Sequence, residues 1–223
     1  MRKLVFHLIL IVFAIVSSGC THSLDIRYNP RAIQTPNELS PEGTNIYLAP
    51  IEDIRSNKFS KGVNTGFVGS YNNYAPIESP VDLTKKALTE KLRKYGINIL
   101  DSKEKAHGIL KGVLKDFSVF LASSWSNPDP SKAVISIDLE LYNSKETDVL
   151  WSQNIYGNAP AVRLPMAWNA RRASEEALSE ALVKAVNSLD RFPKFIKTVS
   201  SLFADPNLNN RQPQPTIPKE SSN

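Results

Sequence analysis

The stretch Ala133-Val-Ile-Ser-Ile-Asp-Leu-Glu-Leu-Tyr142 alternates apolar and polar residues without a break. Because successive side chains of a strand point to opposite faces, Ile135, Ile137, Leu139 and Leu141 fall on one face and Ser136, Asp138 and Glu140 on the other, the pattern of a half-buried strand in an antiparallel sheet. Downstream, Asn143 to Asp148 is a polar turn and Val149 to Tyr156 returns as the partner strand, which predicts a hairpin. Upstream, Gly108 to Leu121 is rich in β-branched and aromatic residues and reads as a third strand. It is separated from the second by Ala122 to Lys132, where Asn127-Pro128-Asp129-Pro130 marks a loop that also carries Trp125.

Helical spacing flanks this sheet on both sides. Pro80-Val81-Asp82 opens a helix in which Leu83, Ala87, Leu88 and Leu92 gather on one face, whereas Lys85, Lys86, Glu90, Lys91 and Lys94 are expected mostly elsewhere. Gly96 ends it behind a lysine-rich last turn, and Ile97 to Leu100 begins a short strand. Past Pro165 to Trp168, the segment Arg171 to Leu189 spaces Leu178, Leu182, Ala185 and Leu189 helically beside the small Ala173, Ala177 and Ala181, which permit close packing on a sheet. Phe192, Phe195, Ile196, Val199 and Leu202 predict one more short amphipathic helix, and Trp151 is expected in the core. Asn45 to Ile51 is a further strand candidate, with Pro50 near its end. The expected fold is therefore α+β, an antiparallel sheet of about four strands with two main helices on one face and a short C-terminal helix.

The N-terminus has a different character. Met1-Arg2-Lys3 is basic, Leu4 to Val16 is apolar apart from His7, and Val16-Ser-Ser-Gly-Cys20 brings small residues up to the only cysteine of the chain. This is the layout of a bacterial lipoprotein signal peptide. The apolar stretch falls short of the ~20 residues a permanent membrane span needs. Cleavage is expected between Gly19 and Cys20, with Cys20 diacylated on its thiol and its new amine usually acylated too. The expected organisation is a signal at 1–19, a lipidated tether at 20–43 broken by Pro30, Pro36 and Pro41, a periplasmic α+β domain at 44–204, and a disordered, proline-bearing tail at 205–223. Within the tether only Leu24 to Tyr28 alternates well enough to suggest a short edge strand.

Charge and composition narrow the function classes. The whole chain carries +5; Arg2 and Lys3 leave with the signal, so 25 basic residues remain against 22 acidic, or +3. No basic stripe or recognised module points to nucleic acid, and none is expected as a partner. With its one cysteine taken by lipid and its few histidines scattered (His7, His22, His107), the chain offers neither a zinc shell nor an obvious nucleophile and base, so no metal, no cofactor and no catalytic residue is expected. Asp53, Asp101, Asp116 and Asp138 show no spacing that selects them as acid, base or calcium ligands, and read as surface or turn carboxylates. The glycines Gly62, Gly66 and Gly69 lack the strand-then-helix context of a phosphate loop. What remains are contact surfaces: the long segment Glu52 to Ser79 with Tyr71 and Tyr74, the loop residue Trp125, and Arg55, which could equally belong to a solvated loop.

Asn45-Ile-Tyr-Leu-Ala-Pro-Ile-Glu-Asp-Ile-Arg55, followed by a glycine-bearing loop, the Leu83 to Gly96 helix and Ile97-Asn98-Ile99, resembles the YajG-like lipoproteins of Gram-negative envelopes. Leu110-Lys-Gly-Val-Leu-Lys-Asp-Phe117, Val149-Leu-Trp-Ser152 and the alanine-rich helix are also similar to the auxiliary lipoproteins of ABC-type lipid transport systems and to lipoprotein activators of peptidoglycan synthases. The resemblance implies a non-enzymatic accessory protein that is lipid-anchored through Cys20, faces the periplasm, and binds an envelope protein in assembly or lipid transport. Thr21 in place of Asp after the cysteine resembles the sorting pattern for the outer membrane. Two other classes stay open, a lipid- or glycan-binding carrier and a hydrolase in the long loop.

Overall fold

A computed structural model of the chain describes residues 22–55, 74–120, 132–161 and 170–204. The expected hairpin is there: β6 (Gly108–Phe120), β7 (Lys132–Asn143) and β8 (Val149–Pro160) form a continuous antiparallel ladder. Ile135, Ile137, Leu139 and Leu141 are all fully buried, while Ser136, Asp138 and Glu140 sit on the wetter face. The turn is closed by Asn143, whose amide donates to Thr147 Oγ1 at 2.8 Å and Asp148 Oδ2 at 3.0 Å, while its Oδ1 accepts from Thr147 N at 2.9 Å. Between Leu114 and Asp116 the β6–β7 register shifts by a residue, a bulge at Lys115, whose amine meets Asp138 across the strand at 2.6 Å.

The sheet is larger than the expected four strands and is mixed rather than antiparallel. β2 (Asn45–Leu48) pairs in parallel with β6 on one side and with β5 (Asn98–Leu100) on the other, and β3 (Glu52–Asp53) continues β2 along the same edge of β6. The resulting six-stranded sheet runs β5-β2-β6-β7-β8 with β3 beside β6. The physical reason lies in the connection, because a chain that leaves β2, forms a helix and returns as β5 makes a crossover, which joins parallel rather than antiparallel neighbours. Pro50, which cannot donate to the ladder, falls in the gap between β2 and β3. A separate small pair joins β1 (His22–Leu24) to β4 (Tyr74–Pro76), also in parallel.

Helix α1 spans Pro80–Lys94. Ser79 caps its N-terminus by accepting from Val81 N, and Pro80 occupies the first turn, where no donor is needed. Gly96, at φ +82°, ends it, with Ile97 N donating back to Leu92 O at 3.1 Å. Helix α2 spans Ala170–Asn187, then a 3₁₀ turn Ser188–Arg191 leads to α3 (Pro193–Ala204). The core joins Leu83, Leu88 and Leu92 of α1 and Leu178, Leu182 and Leu189 to the buried face of β7. α3 adds Phe195, whose ring lies 4.8 Å from Trp151 and 5.9 Å from Tyr95. Trp151 is buried, as expected.

At Gly157 the backbone of α2 comes directly onto the sheet. A Cβ there would stand 2.0 Å from Ala181 O and 2.4 Å from Ala185 N, so the helix backbone rests directly on β8. The small residues Ala177, Ala181 and Ala185, all buried, make that approach possible.

Residues 22–43 differ most from expectation. Their prolines predict part of a tether, yet Leu24, Ile26 and Ile33 belong to the core cluster. The short strand suggested for Leu24 to Tyr28 lies slightly earlier, at His22–Leu24. Prolines break helices and central strands but leave an irregular segment free to pack wherever its backbone groups find partners.

Candidate functional site

Those partners are side chains of the two main helices. Asp25 N donates to Glu175 Oε1 at 2.8 Å, Ser179 Oγ to Arg27 O at 2.9 Å, and Asn187 Nδ2 to Ala32 O at 3.1 Å, while Asn187 Oδ1 accepts from Gln34 N at 2.9 Å. From α1, Lys91 Nζ donates to Gln34 O at 2.9 Å and Lys94 Nζ to Ile33 O. Ser40 N then reaches Tyr95 O at 2.8 Å. The segment is thus a strap laid along α2 and pinned across the end of α1.

Beneath the strap lies a charged cluster. Lys91 is fully buried; its amine donates to Asp190 Oδ2 at 2.7 Å and stands 5.2 Å from the Tyr95 ring centre. Tyr95 OH donates to Asp190 Oδ1 at 2.6 Å, so both carboxylate oxygens are engaged. Burial pushes the Lys91 ammonium below its usual range against the opposing pull of Asp190. Burial first, and the bond to Asp190 second, push the Tyr95 phenol well above its usual range. A pocket of about 240 Å³ opens beside the cluster, walled by Pro36 and Glu38 of the strap and by Leu189, Asp190, Phe192 and Ile196. Chemically the cluster is closed: its acid is matched by its base, and its bonds together tie the strap, α1 and the 3₁₀ turn.

The expectation that Lys91 lies off the apolar face of α1 is overturned. Its place was legible, since Ala87, Leu88, Lys91, Leu92 and Tyr95 follow the i, i+1, i+4, i+5, i+8 spacing of one helical face. A lysine on such a face is normally a stem with a solvated head; here the head meets Asp190, 99 residues away in sequence, which no local pattern announces.

Of the candidate contact residues, Arg55 is described in full. It is only 7% exposed, and its guanidinium forks onto Asp53, Nε to Oδ1 at 2.8 Å and Nη2 to Oδ2 at 2.7 Å. It is therefore no solvated loop side chain, and Asp53 is no isolated turn carboxylate. Tyr74 contributes backbone to β4, opposite His22. Cys20, Tyr71 and Trp125 lie outside the described residues. Asp138 receives Lys115 and Asn154 Nδ2, the latter at 2.7 Å; burial pushes its carboxyl up, but these two bonds outweigh it and hold the group below its usual range. His107 accepts Asn45 N on Nδ1 at 3.0 Å and packs edge-on against Phe203. Among the described residues no group of three or more His, Cys, Asp or Glu could hold a metal ion, and no helix is long and apolar enough to cross a membrane.

No protein-family model matches the chain, and no curated protein matches it. Solved structures do. A protein from Xanthomonas campestris, assigned to the family model DUF330, superposes with a TM-score of 0.57 at 13% identity, over 82% of this chain and 98% of the other. A minor lipoprotein from Acinetobacter baumannii gives a TM-score of 0.39 at 5% identity, over 69% and 94% of the two chains. A lipoprotein from Neisseria meningitidis gives 0.33 at 11% identity, over 59% and 93%. The first likeness establishes a shared fold; the other two are too distant to add to it.

Proposed function

We propose that this chain is a lipid-anchored, non-enzymatic accessory protein of a Gram-negative envelope, held in the outer membrane through acyl chains on Cys20 and working by contact with an envelope protein in assembly or lipid transport. The observation that carries the reading is the run Val16-Ser-Ser-Gly-Cys20 behind a basic and then apolar N-terminus. Thr21 after the cysteine supports the outer membrane over the inner. The satisfied state of the polar clusters supports contact over catalysis: Lys91, Asp190 and Tyr95 bind one another, and Arg55 binds Asp53.

The carrier reading, for a lipid or a glycan, would be favoured by an apolar cavity between sheet and helices. At Gly157 that layer is closed by backbone contact, which weighs for the accessory role. Activation of a peptidoglycan synthase is one form such a role could take.

Crosslinking in intact cells tests the proposal. A photoreactive residue at Tyr71 or Trp125 is expected to capture one defined envelope protein, with capture lost in Cys20→Ser and retained in Asp138→Asn. If a single conservative carboxylate substitution instead abolished function at normal abundance and with an unchanged melting profile, the chain would be an enzyme and the proposal wrong.

A further inference from the structure

We propose that the end of the body carrying β1 lies directly against the bilayer, held there because the chain has no slack between the anchor and the fold. The inference rests on the lipid-anchor reading above and adds to it an orientation and a contact surface.

Only Thr21 separates Cys20 from β1. Two residue steps reach at most about 7 Å even when fully extended. Beyond His22 the chain does not become a tether. It pairs with β4, and the strap that follows is bonded to α2 at Glu175, Ser179 and Asn187 and to α1 at Lys91, so its whole course is committed to the body.

The end so held is identifiable. Trp151, near the start of β8, packs on Phe192 and Phe195, and Gly157, further along, meets Ala181 and Ala185, so α2 runs back along β8 and its first turns lie toward Pro160. Asp25 is bonded to one of those first turns, at Glu175. The 143–148 turn is at the other end of β7, eleven residues on from Lys132, or about 37 Å at strand rise.

Beside β1 stands Ile77, whose N–H donates to Leu24 O at 2.8 Å and whose side chain is 68% exposed, the most exposed large apolar residue described. Among the described residues most cations at this end are matched by acids: Arg27 with Asp25 at 2.5 Å, Arg171 with Glu175 at 2.9 Å, Arg172 with Glu176 at 2.8 Å, Lys86 with Glu78 at 2.5 Å. Lys85 in the first turns of α1 and Lys132 opposite Pro160 are exposed outside such pairs. Exposed pairs of this kind contribute little and present no single-sign field. Two cations outside ion pairs fall short of the polybasic cluster that marks anionic-lipid recognition, so the described surface suits the headgroup zone of a bilayer as such, with Ile77 at its apolar boundary, and does not require anionic lipid.

The test uses the full, lipidated chain, its acylation verified by mass, in vesicles of phosphatidylcholine alone and in vesicles containing phosphatidylglycerol. Ile77→Cys, Arg27→Cys and Lys105→Cys, all at exposed positions, are treated with a PEG-maleimide too bulky to enter a membrane-apposed crevice. Modification at 77 and 27 is expected to be lost in both kinds of vesicle while Lys105→Cys, at the far end, reacts freely. A Gly/Ser insert of about 20 residues between Thr21 and His22, worth roughly 25 Å of slack, should restore reaction at both positions. Free reaction at 77 and 27 in protein that carries its acyl chains would overturn the orientation and leave the anchor standing. Protection only with phosphatidylglycerol would overturn the neutral-surface argument, and a Cys20 without acyl chains would overturn the anchor and the orientation together.

Discussion

Lys91 and Asp190, 99 residues apart, meet at 2.7 Å with the lysine fully buried. Removing one partner leaves the other charge uncompensated, so Asp190→Asn should cost about 3 to 5 kcal/mol in a denaturant titration. Exchanging both for apolar residues, as in Lys91→Met with Asp190→Leu, should recover most of that loss, although Gln34 O and Tyr95 OH then lose a partner. A double variant no better than the single one would mean that the strap bond to Gln34, rather than the ion pair, is what matters.

Alkaline pH should expose the same cluster through Tyr95. Its folded value is raised above the ordinary 10.0 of a free tyrosine, so in the folded state the phenol keeps its proton after the unfolded chain has begun to lose it. That contribution is fully present below pH 10 and is lost as pH rises above it. Lys91 acts in the opposite sense, because its lowered value makes the folded state gain relative to the unfolded one as pH rises toward the ordinary 10.5 of a lysine. Tyr95→Phe should therefore flatten the decline in melting temperature above pH 10, and an unaltered decline would assign it to other tyrosines.

At Gly157 a methyl group would collide with backbone rather than with a movable side chain. Gly157→Ala should destabilise by at least the ~1 to 3 kcal/mol typical of an overpacked core. Gly112→Ala, where the nearest atoms are side-chain carbons of Ile51 and Leu139 at 3.4 Å, should cost markedly less by thermal melting. Equal costs would show that α2 can lift off β8.

Leu139 lies at the centre of β7 with no exposure. Leu139→Ala should cost ~2 to 5 kcal/mol, the range for a buried leucine that leaves a cavity. A change below about 0.5 kcal/mol, the scale of surface substitutions, would mean the face is not the core.

The strands and helices were legible wherever one face is buried, because burial imposes a period on the sequence. Ile135 to Leu141 and Leu83 to Leu92 carry that period openly, and Ser79, Pro80 and Gly96 mark where the first helix starts and stops. Strand direction carries no such mark: Asn45–Leu48 reads the same whether its neighbours are parallel or not, and only the helix placed between it and Asn98–Leu100 implied a crossover. The strap escaped because its bonds run from irregular backbone to helix side chains 57 to 155 residues away, and such bonds follow no period. For the candidate site, the lone cysteine and its small-residue approach were readable, whereas the burial of Lys91 and Arg55 depended on finding Asp190 and Asp53 as partners.

The most direct test of the account is the intact mass of the protein extracted from membranes. The account predicts a chain that begins at Cys20 and carries acyl chains on the thiol, with the amine acylated as well, and that Cys20→Ser yields an uncleaved, unacylated product. A membrane-extracted chain with a free Cys20 thiol, or one beginning at a residue beyond Cys20, would contradict it.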